Sequence, residues 1–232
     1  TAANNTAIGY EALTANTTGT ENTAVGKSAL STNTTASYNT AVGKSALNWN
    51  TGANNTALGR AALFTNTTGT SNTSVGFNSL YANTTGASNT ALGSNALVGC
   101  TTGSDNTAVG VNALDAAVTG GTNVAVGNAA LGSLTSGYGN TAVGYNAFQN
   151  LTTAANSTAL GIAAGASITT GGGNCAIGGS ALNACVTGSA NTMVGSQAGR
   201  LITGSDNVGV GMDVLYDCTS GSRNVAIGAG GY

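Results

Sequence analysis

The side chains able to do chemistry are few and scattered. The acids are Glu11, Glu21, Asp105, Asp115, Asp206, Asp213 and Asp217. Glycoside hydrolysis needs two carboxyl groups flanking one bond, and no such pair is implied. Glu11 and Asp213 share a position in the repeat described below but stand twelve repeats apart. Asp213 and Asp217 could form a weak cation site, and a solvated turn accounts for them better. There is no histidine, so triads, most general bases and most zinc sites lose their usual residue. Glycine pairs such as Gly209 and Gly211 belong to the repeat and lack the strand–helix context of a dinucleotide site. The expectation is no catalytic residue, no cofactor and no metal.

Two weaker signals remain. Tyr10, Phe77 and Tyr145 follow a repeated glycine directly, and Phe64, Tyr81 and Tyr216 stand five residues after one, with Trp49 six after. Rings at such variable outward positions can stack on sugars or pack at a subunit rim. Cys100, Cys185 and Cys218 share one repeat position, and Cys175 lies elsewhere. Cys185 and Cys218 are two repeats apart, roughly 9–10 Å at strand spacing. That exceeds the ~7 Å reach of a disulfide between Cα atoms. No intrachain disulfide is predicted, and the cysteines read as small buried hydrophobes.

These residues are placed by a repeat. The pentad Asn-Thr-Ala-Val-Gly recurs along the whole chain, closing on fourteen glycines from Gly9 to Gly228. The steps are 17 residues, except 16 from Gly43 to Gly59 and from Gly195 to Gly211. Helical repeats run from about 33 residues upward, and Gly, Thr, Asn and Val are poor helix formers. Short strands ended by glycine fit better. The chain has no proline, which leaves every N–H free for a ladder. The predicted fold is all-β: one parallel β-solenoid, or β-roll, over residues 1–232, of about fourteen 16–17-residue coils. It would be a rod roughly 65 Å long at ~4.8 Å per coil. A disordered chain would pair low hydrophobicity with high net charge; here 41% of residues are hydrophobic and 5% charged.

Substitutions within a column of the repeat indicate its surroundings. The residue before each glycine is always Ile, Val or Leu and is predicted to be core: Ile8, Val25, Val42, Leu58, Val75, Leu92 and Val109. Thr two residues earlier exchanges with Val and Cys and would share that inward face. The Ala between them would then point outward: Ala7, Ala24, Ala41, Ala57, Ala91 and Ala108. Four after the glycine lies a second core column, mostly Leu. Gly165 and Gly199 break it, with Ile162 and Leu201 near enough to fill in. Seven after the glycine, Asn16, Asn33, Asn50, Asn66 and Asn83 give way to Cys100, Ala117, Leu134, Leu151 and Ile168. An exposed column would not drift to Leu, so a buried Asn ladder is predicted. A turn column of Asn is the alternative.

A lone coil this narrow buries little apolar surface. The outward Ala stripe is therefore the candidate subunit interface, since exposed apolar stripes mark interfaces. The pentads Asn22–Gly26 and Asn224–Gly228 resemble the repeat of trimeric autotransporter adhesin heads. The longer unit, Asn22 to Leu30 followed by Asn33-Thr34-Thr35, is similar to repeats of phage-type tail fibres and bacterial surface fibres. The resemblance implies a non-enzymatic structural or adhesive fibre segment, part of a longer fibre, at a cell surface or on a virion. Its partner would be itself, as a homotrimer or an end-to-end filament, with a cell-surface glycan or receptor as a further partner. Net charge −2 with five cations argues against nucleic acid, and no apolar run spans a membrane. The rival is an ice-binding solenoid using Thr eight and nine residues after the glycine, among them Thr17, Thr18, Thr34 and Thr35. That stretch varies in length, which counts against a lattice-matched face.

Overall fold

The computed structural model describes residues 2–230. The chain divides into two compact units, Thr1–Gly120 and Gly121–Tyr232. Both are all-β and follow one plan of three-residue strands, with no helix among the described residues. The first unit holds β1 (Thr6–Ile8), β2 (Thr23–Val25), β3 (Thr40–Val42), β4 (Thr56–Leu58), β5 (Thr73–Val75), β6 (Thr90–Leu92) and β7 (Thr107–Val109). The second holds β8 (Val124–Val126), β9 (Thr141–Val143), β10 (Thr158–Leu160), β11 (Cys175–Ile177), β12 (Thr192–Val194), β13 (Val208–Val210) and β14 (Val225–Ile227). Within each unit, every strand pairs in parallel with the strand one repeat later. Thr23, Ala24 and Val25 face Thr40, Ala41 and Val42; Val124, Ala125 and Val126 face Thr141, Ala142 and Val143. Each unit is a parallel β-solenoid with one coil per repeat.

The two short coils keep this register. Thr40 pairs with Thr56 and Thr192 with Val208. The missing residue is absorbed at the exposed turns carrying Thr51 and Thr203, where a shorter loop disturbs no packing.

The strand faces are the reverse of the sequence expectation. Ala24, Ala41, Ala57, Ala91 and Ala108 are fully buried inside the coil. The residues expected as core point out: Ile8, Leu58 and Leu92 are exposed, while Val25, Val42, Val75 and Val109 are half-buried. Ala7, in β1, is the exception and is exposed. The Ala stripe therefore cannot be a subunit interface. The reason is the width of the coil. The interior also receives a second Ala column three after the glycine, such as Ala29 and Ala46, and the Leu column beside it, such as Leu30 and Leu47, all fully buried. A strand facing those Leu side chains across so narrow a lumen has room for a methyl group and no more.

The turn after each strand explains the glycine. The anchor glycines have φ between +126 and +142, a region L-residues rarely enter. A Cβ on Gly59 would also stand 2.4 Å from the carbonyl oxygen of Gly76 in the next coil. Further round the turn, Leu30 and Leu80 hold φ of 49 and 48. The left-handed region costs an L-residue about 1–2 kcal/mol, and burying a Leu gains about 1.5–3 kcal/mol, so burial wins.

Where that column is glycine, a neighbour fills the space. A Cβ on Gly165 would lie 2.3 Å from the Phe148 ring, the large residue at the same position one coil earlier. A Cβ on Gly199 would meet the Met193 sulfur at 2.8 Å, and one on Gly209 would meet it at 2.6 Å. Met193 replaces the usual strand Ala, and two glycines make room for it. Ile162, expected as a filler, is 66% exposed, and Leu201 is only half-buried. Phe148 and Met193 serve instead because they sit on inward columns.

Candidate functional site

Two ladders of amides line the interior. The predicted one is present in the first unit. Asn33 donates its Nδ2 to Asn16 Oδ1 at 3.1 Å, Asn50 to Asn33 at 3.4 Å, Asn66 to Asn50 at 2.7 Å and Asn83 to Asn66 at 2.6 Å. Each amide also donates to a carbonyl of its own turn, as Asn66 does to Gly69 at 2.8 Å. The ladder stops at Asn83, whose buried Oδ1 has no partner, because the next residue in the column is Cys100. The Cys100 thiol donates to Gly103 oxygen, the bond an Asn would have made, and burial pushes its pKa up to about 11. One coil on, Val118 is fully buried while Ala117 is exposed. Val118 thus takes the place expected for Ala117.

The second ladder was not anticipated. The Asn that opens each pentad accepts from the backbone N–H of its counterpart in the next coil, as Asn22 Oδ1 does from Asn39 at 3.0 Å. Its Nδ2 donates to the next coil's turn carbonyl, as Asn55 does to Gly69 at 2.9 Å. The same contacts recur in the second unit, where Asn140 accepts from Ser157 and donates to Ala154. The signal was available. This column is Asn in every pentad except the one opened by Ser157, and such uniformity in a drifting repeat marks a buried polar group with fixed partners.

Outside, the strands present two columns. One is Thr6, Thr23, Thr40, Thr56, Thr73, Thr90 and Thr107; the other is the Ile, Val and Leu column originally expected inside. In the second unit Val124, Cys175, Val208 and Val225 interrupt the threonines. This face carries no charge in either unit. Several of its residues are large and open to solvent, including Ile8 at 61% and Leu160 at 48%. The turn threonines behave differently. Thr17, Thr67 and Thr84 spend their hydroxyl hydrogens on the carbonyls of Thr34, Thr84 and Thr101 at 2.8–3.0 Å. They tie coil to coil, which weakens them as a water-ordering array.

A third outward column starts one residue after the anchor glycine. In the first unit it reads Tyr10, Lys27, Lys44, Arg60, Phe77, Ser94 and Val111. Lys27 Nζ lies 5.4 Å from the Tyr10 ring centre and Arg60 Cζ lies 5.2 Å from that of Phe77. Beside them the rings of Phe64 and Tyr81 stack at 5.1 Å, tilted by 3°. A groove of about 370 Å³ is lined by Lys44, Ser45, Arg60, Ala61, Phe64, Asn78 and Tyr81. Glu11 is engaged elsewhere. It accepts from Ser28 at 3.2 Å, and its hydrogen bond and charge raise the pKa of the Tyr10 phenol.

Asp213 is half-buried and Asp217 exposed. Among the described residues no cluster of three His, Cys, Asp or Glu could hold a metal ion. All four cysteines are free thiols. No helix among the described residues is long and apolar enough to cross a membrane. No family model matches the chain, and no curated protein or solved structure matches it significantly. Fold and surfaces together define a β-solenoid repeat protein.

Proposed function

We propose that this chain is a non-enzymatic segment of an extracellular fibre, structural or adhesive, that packs against copies of itself through the outward strand face. The observation that carries this reading is the uncharged Thr and Val/Leu/Ile double column, with Ile8 at 61% and Leu92 at 48% exposure. A flat apolar stripe of constant pitch is unusual on a monomer and suits an interface. Identical coils give identical stripes, so two or three copies meet in register at every level. A trimer about a common axis is one such arrangement, and it agrees with the resemblance to trimeric adhesin heads and tail fibres. The large scaffold with few reactive side chains fits a spacer better than an enzyme.

The test replaces Val42, Val75 and Val109 with Lys. These positions are outward and half-buried, so the coil should tolerate the charges. Mass photometry should find the parent multimeric and the variant monomeric, with matching circular dichroism. A parent that stays monomeric at micromolar concentration overturns the reading.

A second reading is favoured by one observation. The strand threonines of the first unit form an unbroken column on the outward face, and Thr40, Thr56 and Thr73 are exposed. Such an array could order water into an ice-like layer. A monomeric parent that arrests ice growth, with arrest lost on replacing Thr40 and Thr73 by Lys, would support it in place of the fibre.

A further inference from the structure

Three of the chain's five cations fall on successive coils in one column, Lys27, Lys44 and Arg60. Neighbouring coils stand about 4.8 Å apart, and like charges at that separation repel one another even in water. Lys27 and Arg60 lie against aromatic rings, an arrangement that stabilises exposed cations modestly. Lys44 stands between them, exposed. The corresponding column of the second unit, Asn128, Tyr145, Ile162, Gly179, Ser196, Met212 and Ala229, holds no charge. The repeat therefore does not require cations here.

The same groove offers what a sugar ring recognises. The Phe64 and Tyr81 rings stack face to face and line the groove, so that they offer apolar ring edges against which a sugar ring can rest. Ser45 and Asn78 on the groove wall offer hydrogen bonds to ring hydroxyls. The cation row supplies charge-assisted contacts to carboxylate or sulfate groups. We infer that the groove over Lys44, Arg60, Phe64 and Tyr81 binds an acidic glycan, lying along the coil stack so that successive anionic groups meet successive coils. Single-stranded nucleic acid is also bound by rings and cations. Here the two rings stack on each other and leave no slot for a base, and three cations are few for a phosphate backbone. The site lies off the strand face, so it stands or falls independently of self-association.

The experiment measures binding by calorimetry at low ionic strength with four probes. These are a heparin-derived hexasaccharide, an oligogalacturonate, a neutral malto-oligosaccharide and an oligothymidylate. The expected result is binding of at least one acidic glycan and none of the neutral one. Oligogalacturonate binding shows that carboxylates suffice, and binding of the heparin hexasaccharide alone shows that sulfate is needed in addition. Lys44→Gln with Arg60→Gln should weaken binding by at least tenfold, since two charge-assisted hydrogen bonds to the anionic groups are lost. Tyr81→Ser should weaken it separately while leaving its salt dependence unchanged. All these side chains line an open groove, so unchanged melting is expected to confirm folding. Failure of both acidic glycans to bind, equal binding of the neutral glycan, tighter binding of the oligothymidylate, or indifference to the double variant would each overturn the site.

Discussion

The two units run the same backbone course around different interiors. Seven residues after the glycine, the first unit has Asn16 to Asn83 hydrogen-bonded rung to rung. The second has Leu134, Leu151, Ile168, Cys185 and Ile202, all fully buried. The turn carbonyls show how both are possible. In the first unit the Gly86 oxygen accepts from Asn72 and from Asn83, each at 2.9 Å. In the second, the Gly137 oxygen accepts from Asn123 at 3.0 Å while Leu134 makes no polar contact there. The pentad Asn satisfies the turn carbonyl in both units, so the other column is free to be polar or apolar. It changes in blocks because an amide satisfied along the stack needs amides above and below it. The unpartnered Asn83 oxygen marks where the first block ends.

The largest effect should come from placing a charge in the polar block. Asn50 donates to Asn33 oxygen and to Gly52 oxygen at 2.7 Å. Asn50→Asp would aim a carboxylate at both acceptors and should cost about 3–5 kcal/mol at neutral pH, as a broken buried pair does. Burial raises the folded-state pKa of this carboxyl above the unfolded value of about 3.9. The deficit should therefore be small below that pH, where a protonated acid can donate, and should open as pH rises through the folded pKa. Thermal melts across the acid range check both sign and size. Asn83→Leu, at the open end of the ladder, moves the orphan oxygen from Asn83 to Asn66 and leaves the Gly86 oxygen its bond from Asn72, so it should cost only about 1 kcal/mol. Equal, negligible losses for both variants would put the column outside the core and erase the contrast between the units.

A smaller effect tests whether the second unit's irregular packing is compensated locally. Met193→Ala should open a cavity beside Gly199 and Gly209 and cost about 2–4 kcal/mol. Gly199→Leu alone should clash with the Met193 thioether and cost about 1–3 kcal/mol. Together they recreate the Ala-and-Leu pairing of the first unit, and most of the loss should be recovered. Additive losses in denaturant titrations would show that the glycines do not accommodate Met193.

The smallest effect is kinetic. Cys100 and Cys185 are buried, and Cys175 and Cys218 half-buried. Burial raises the thiol pKa of Cys100 to about 11 and that of Cys185 above its usual value, so little thiolate is available near neutral pH. Alkylation of the native protein should label Cys175 and Cys218 first, with the buried pair following only on unfolding. Peptide mapping after timed quenching reads the order, and denatured, unreduced protein should label at all four.

Much of this molecule was legible because a repeat supplies many copies of each position. The 17-residue step, the parallel stacking, the Leu column, the tolerance of the Thr turn for deletion and the Asn ladder all followed from comparing coils. Strand parity did not. In Thr23-Ala24-Val25, alternation separates the middle residue from its flanks but leaves open which side faces in. Ranking by hydrophobicity chose Val25, and the narrow lumen chose Ala24. The same gap hid the groove. Lys44 and Arg60 stand one residue after the glycine and Phe64 and Tyr81 five after, and nothing linear shows that the turn folds one over the other.

The sequence by itself determined the period, because each coil must pair with the next in register and any slip would misplace every column at once. It determined the near-uniform pentad Asn column too, since an amide with fixed partners in every coil cannot drift. Only the tertiary structure decided the orientation of the strands. That depends on the volume left inside after Leu30, Ala29 and Asn33 have entered the coil, and volume is a property of the closed loop and not of any stretch of chain. The outward Thr and Val columns, the surface on which the proposed function rests, became visible only once that interior was full.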